Sequence, residues 1–191
     1  VKKIQIIIAL VLLSQQISAQ RKEKAFSFRS INSTSVLIGE NSSCFGIQTV
    51  NGVRLRNSWF IGLGAGYDAY QASSIPVFVE VRKYITHNQW QPFIYANVGE
   101  NFTLHNSNYP RKWNNGSDAC TFTQAWYTEA GIGINKSITK TTSFFITAGY
   151  SLKQFNYTYQ YPYMFPSPNI NTPSNYRFDF RRWIIKMGLE L

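Results

Sequence analysis

Hydrophobic and polar positions alternate with a period of two along most of this chain. The pattern is clearest in WFIGLGAGYDAYQASSIPVFVEVRKY, Trp59 to Tyr84. In its first half Trp59, Ile61, Leu63, Ala65 and Tyr67 share one side of an extended backbone, and Gly62, Gly64, Gly66 and Asp68 share the other. In its second half Ile75, Val77, Val79 and Val81 lie opposite Pro76, Phe78, Glu80 and Arg82. The stretch therefore reads as two β-strands joined by a short polar turn, each with one continuous apolar face. A soluble sandwich or barrel buries such a face. A transmembrane barrel turns it out to lipid and turns the polar face into the lumen. The alternation is the same in both, so other parts of the chain must separate them.

Six further segments repeat the pattern: Phe28 to Ile38, Cys44 to Leu55, Pro92 to Phe102, Ala125 to Asn135, Thr142 to Phe155 and Tyr176 to Leu191. The total is eight strands, an even number. The turns near residues 56, 87 and 139 are short, whereas the connections near 113 and 165 are long. Short turns on one rim and long loops on the other are the habit of outer-membrane barrels. In the last hairpin the outward apolar residues occupy even positions up to Leu152 and odd positions from Trp183 onward. Beyond Leu152 the aromatics move to odd positions, Phe155 to Phe165, and before Trp183 Phe178 and Phe180 are even. If residues near 143 pair with those near 191, the two switches lie at one height. Either the membrane ends there and the hairpin projects with its aromatics toward the barrel axis, or paired β-bulges reverse the faces.

The amino-terminal region, VKKIQIIIALVLLSQQISAQ, has two lysines, an apolar run from Ile4 to Leu13 and a small-residue site ending at Ala19. This is the layout of a cleavable secretory signal over residues 1–19; a short anchor helix is the alternative. No later segment approaches the length of a spanning helix. Lipid leaves backbone groups no water to bond, so a membrane protein without spanning helices has to close into a barrel. The expected architecture is all-β, an eight-stranded antiparallel up-and-down transmembrane β-barrel over residues 28–191. A periplasmic tail at 20–27 precedes it, and the cell outer membrane is its location.

Aromatic residues make up 16% of the chain, which excludes a disordered polymer. The formal charge of +10 calls for anionic surroundings. The basic residues are scattered over turns, loops and strands with no stripe of the nucleic-acid kind, so outer-membrane lipid rather than nucleic acid is the expected counterpart. The chain is expected to act as a monomer.

The segments GIQTVNGVRLRNSWFIGLGAGYDAY (Gly46 to Tyr70), SIPVFVEVRKY (Ser74 to Tyr84) and QPFIYANVG (Gln91 to Gly99) resemble the small outer-membrane β-barrel family of Bacteroidota, related in shape to OmpA- and OmpX-type barrels. The resemblance implies an eight-stranded barrel with both termini in the periplasm. It carries no catalytic residues, and neither a cofactor nor a metal site is expected.

Candidate chemistry falls in five places. Arg54, Asp68, Glu80, Arg82, Glu129, Lys186 and Glu190 share the polar face of their strands. Inside so narrow a barrel they form either an ion path or, as expected here, a packed salt-bridge plug. The alternating glycines Gly62, Gly64, Gly66, Gly131 and Gly133 lack the following helix of a nucleotide site and instead make room for long inward side chains. Cys44 and Cys120 both reach the long-loop rim, where the exported compartment permits a disulfide; two free thiols are the alternative. The long loops offer Arg111, Lys112, Trp113, Tyr159, Tyr161 and Tyr163 as a surface for an extracellular ligand or protein. His105 is the one histidine at a height suited to an outer-leaflet lipid-modifying enzyme; His87 falls on the opposite rim. A structural or surface-interaction role is therefore expected rather than an enzyme, with lipid modification or a narrow ion channel as alternatives.

Overall fold

The computed structural model describes residues 26–39, 43–55, 58–69, 73–86, 88–104, 120–123, 125–139, 141–159 and 174–191. The signal segment expected at 1–19 lies outside them, as do His87, His105, Arg111, Lys112, Trp113, Tyr161 and Tyr163. The strands are β1 (Phe26–Ile38), β2 (Ser43–Leu55), β3 (Trp59–Asp68), β4 (Ser74–Tyr84), β5 (Trp90–Thr103), β6 (Cys120–Thr123), β7 (Ala125–Ser137), β8 (Ser143–Tyr159) and β9 (Ser174–Glu190). Every pairing is antiparallel, successive strands pair with one another except around β6, which β5 passes over to pair with β7, and β9 returns to pair with β1. The short β6 and the longer β7 both pair with β8 and occupy one position in the wall. The register slips by one residue between Thr123↔Asn156 and Tyr127↔Lys153, the offset that a β-bulge produces. The result is the expected closed eight-stranded antiparallel barrel.

Burial alternates with the period of the sequence. On β2 the pattern from Ser43 to Val53 is strictly exposed, then buried, and it places Gln48 and Val50 inside and Ile47 and Thr49 outside. Ile61, Leu63, Val79, Ile94, Ile132 and Met187 are exposed, whereas Glu80, Arg82, Glu129 and Lys186 are almost wholly enclosed. This barrel has a polar interior and an apolar exterior. Large aromatics gather toward the two ends of the exterior: Phe28, Trp59, Trp90 and Phe144 toward the rim that holds the chain ends, and Phe45, Tyr67, Phe102, Trp126, Tyr150 and Trp183 toward the other. At the lower row Lys83 lies 4.9 Å from the Trp59 ring centre and Lys136 4.8 Å from that of Trp90. Bands of aromatic and basic residues of this kind suit an interface between an apolar layer and water.

The β8–β9 hairpin settles the question of the switched aromatics. Its register runs unbroken from Ser143↔Glu190 to Tyr159↔Ser174, so no bulge reverses the faces between these strands. The composition of each face changes instead. Below the paired Tyr150 and Trp183, whose rings meet edge-on at 5.2 Å, the outward residues are apolar. Above them, Arg177, Asp179 and Arg181 are exposed on the outward side, while Phe155 and Phe180 pack inward with ring centres 4.9 Å apart. β1 stops at Ile38 opposite Trp183, so among the described strands the β9 segment above that point pairs with β8 alone.

Candidate functional site

The lumen holds most of the chemistry, and its residues reach it by strand parity alone. Inward-facing positions alternate along each strand, so charges on seven strands converge on one narrow space. Near the lower rim Glu190 accepts a hydrogen bond from the Tyr84 hydroxyl at 2.7 Å and one from the Asn135 amide at 2.8 Å. Arg54 and Arg29 approach its other oxygen at 3.7 and 3.9 Å. The Arg54 guanidinium also lies 4.0 Å above the Tyr84 ring and donates to the side-chain oxygen of Gln91 at 2.9 Å. One level up, Arg82 bonds Glu80, its neighbour two residues away on the same face of β4. The rings of Phe93 and Phe145 each lie 4.9 Å from that guanidinium.

Glu129 holds the middle of the lumen. It accepts hydrogen bonds from the hydroxyls of Tyr95 at 2.8 Å and Tyr127 at 2.5 Å, and the Lys186 ammonium stands 2.5 Å away. Lys186 also donates to the Gln48 side-chain oxygen at 2.6 Å, and the Gln48 amide donates to the Tyr127 oxygen at 3.2 Å. Nearer the upper rim Asp68 pairs with Lys153, and Arg182 approaches the Cys44 sulfur at 3.9 Å. Leu37, Cys44 and Ile184 form an apolar knot beside them, with Phe180 packed against it.

Each lumen carboxylate therefore faces a cation: Asp68 with Lys153, Glu80 with Arg82, Glu129 with Lys186, and Glu190 with Arg29 and Arg54. A buried charge without a partner is strongly unfavourable, which is why each of these carboxylates has one. Aromatic side chains fill the intervening space, with Phe60, Phe78, Tyr84, Phe93, Tyr127 and Phe145 all nearly inaccessible. The inward glycines accommodate these rings. A Cβ at Gly64 would stand 2.5 Å from the Phe78 ring, and one at Gly133 2.5 Å from the Phe93 ring.

The structure brings Glu80 to Arg82 and Glu129 to Lys186, and it adds three cations that the alternation pattern did not single out: Arg29, Lys153 and Arg182. Their parity was legible. Trp183 facing out puts Arg182 in, and Leu152 facing out puts Lys153 in. Cys44 is a free, buried thiol that points into the lumen. Cys120 opens β6 opposite Tyr159, and the side chains of both residues lie outside the described ones. Among the described residues no three His, Cys, Asp or Glu side chains lie close enough to hold a metal ion.

No protein-family model matches this sequence, and no curated protein matches it. Solved structures do resemble its fold. The outer membrane protein OprG from Pseudomonas aeruginosa superposes with a TM-score of 0.53 at 12% identity, over 87% of this chain and 95% of that one. The outer membrane protein AlkL, determined in lipid bilayers, gives 0.54 at 8% identity, over 91% and 92%. Neisserial surface protein A gives 0.51 at 13% identity, over 88% and 97%. At these identities the likeness is one of architecture. The chain has the eight-stranded barrel fold of small outer-membrane proteins.

Proposed function

We propose that this chain is an integral outer-membrane barrel with a closed lumen, which acts as a structural or surface-interaction protein through the connections on its upper rim. The observation that carries this reading is the inverted polarity of the barrel. Ile132, at the centre of β7, is 65% exposed, whereas Glu129 on the same strand is 3% exposed. In water that arrangement would waste the hydrophobic driving force and bury charge for nothing; in lipid it satisfies both. The paired charges and packed rings support a plug rather than a path, since ions need polar space with room to move through. The β8–β9 hairpin, with its outward charges and inward phenylalanines, supports a projecting element that presents the loop between them. Arg111, Lys112, Trp113 and the tyrosines Tyr159, Tyr161 and Tyr163 are the residues we propose for that surface. Three measurements on one preparation test the proposal. The protein should remain in the outer-membrane fraction after alkaline washing. It should pass no current in a planar bilayer. Removal of residues 105–119 or 160–173 should change cell-surface behaviour while leaving the barrel folded. Discrete current steps, or turnover of outer-leaflet lipid that His105→Ala abolishes, would replace it with the channel or the enzyme.

A further inference from the structure

Between the two aromatic rows the outward side chains are apolar on almost every strand. The first hairpin breaks this rule. On β1 the successive outward positions between Phe28 and Val36 are Ser30, Asn32 and Thr34, and on β2 Thr49 and Asn51 face outward as well. Register sets Asn32 opposite Thr49 and Ser30 opposite Asn51, so the five form one patch. The Thr49 hydroxyl donates to the Asn32 side-chain oxygen at 2.9 Å, and the Asn32 amide reaches the Ser30 hydroxyl at 3.4 Å. The side chains of Thr34 and Asn51 make no hydrogen bond among the described residues. Among the described residues, the other outward polar groups between the two rows, Glu100 and Thr128, stand beside Trp126 at the upper row, near water. The short side chains of the patch also leave a hollow. A groove of about 750 Å³ runs over Asn32, Thr34 and Thr49, with Tyr67, Phe144 and Met187 among its walls.

Acyl chains can fill such a groove but cannot bond its amides and hydroxyls, and unmet polar groups in hydrocarbon are costly. Lipid headgroups lie beyond the aromatic rows and do not reach it. What can satisfy the patch is another protein surface at the same depth. Every side chain in it is neutral and both donates and accepts, so the patch is complementary to itself when turned about a twofold axis. Small and hydrogen-bonding residues are also what contacts between proteins inside a bilayer select.

We propose that the β1–β2 face is the contact between two copies of this chain, packed side by side in the membrane with Asn32, Thr49 and Asn51 bonded across the axis. This departs from the monomer expected from the sequence, and it rests on the exterior facing lipid. The test is energy transfer between donor- and acceptor-labelled copies, each labelled at its amino terminus, in phosphatidylcholine vesicles over a range of protein-to-lipid ratios. Transfer should rise with protein density and saturate as for pairs. Asn32→Leu with Thr49→Val should weaken association roughly tenfold, the loss of a few hydrogen bonds in lipid, while Ile132→Leu on β7 leaves it unchanged. Heat-dependent gel mobility verifies that each variant is folded, and replacing polar by apolar groups on the exterior does not oppose insertion. Absence of transfer in the native chain at every density, or a double variant that associates like the native chain, would overturn the pairing. Vesicle flotation of the same samples separates the two failures: protein that floats without transfer refutes only the pairing, and protein that does not float refutes the membrane reading and the pairing together.

Discussion

Lys186 on β9 and Glu129 on β7 meet inside the barrel with the ammonium nitrogen 2.5 Å from a carboxylate oxygen, although β8 lies between their strands in the wall. Both are about 3% exposed, so neither charge has bulk water to fall back on. Removing one partner strands the other. Lys186→Met should therefore destabilise the barrel by about 3–5 kcal/mol, and adding Glu129→Gln should recover more than half of that loss. Urea unfolding of the vesicle-inserted protein, followed by tryptophan fluorescence, measures both. A Lys186→Met barrel as stable as the native one would mean that the pair does not help to hold the lumen closed.

The exterior makes an opposite demand. Ile132 is 65% exposed, and a soluble protein would accept a lysine at such a position within about 0.5 kcal/mol. If the position faces hydrocarbon, Ile132→Lys should cost about 2–4 kcal/mol. The same unfolding assay in vesicles distinguishes the two, and a negligible cost would argue against a lipid-facing exterior.

Gly133 sits where a side chain would collide with the Phe93 ring, since a Cβ added there would stand 2.5 Å from it. Gly133→Val should destabilise by about 1–3 kcal/mol through overpacking of the lumen. Phe93→Leu, which shortens the ring that fills the gap, should return part of that loss in the double variant, whereas additive losses would show that the two sites do not share the space.

Cys44 is enclosed beside Leu37 and Ile184. In a Cys120→Ser variant the Cys44 thiol should be shielded from a maleimide reagent while the barrel is folded and should react fully once it is denatured. Mass spectrometry of the labelled chain reads the outcome, and rapid labelling of folded protein would mean that the upper lumen is open.

The alternation of Trp59 to Asp68 and of Ser74 to Tyr84 was enough to place those side chains on two faces, and the even strand count with unequal connections was enough for a closed barrel. The lumen cations were less accessible. Arg29, Lys153 and Arg182 sit in stretches where the apolar signal is weak or changes sides, so their direction emerges only by carrying the parity of Val36, Leu152 and Trp183 across to them. The reversal of the aromatics near Phe155 was ambiguous between a bulge and a change of surroundings, because a sequence shows the phase of a pattern and not the register of the strand beside it. The unbroken β8–β9 pairing resolves it.

Period-two patterning belongs to the single strand, since the pleat sends successive side chains to opposite faces whatever lies next to it. Which residues face the lumen and which face out was therefore contained in the order of amino acids. Partnership belongs to the closed wall. Lys186 finds Glu129, and Asn32 lies beside Thr49, only because shear and closure bring distant segments to the same height, and a linear chain holds no measure of that height.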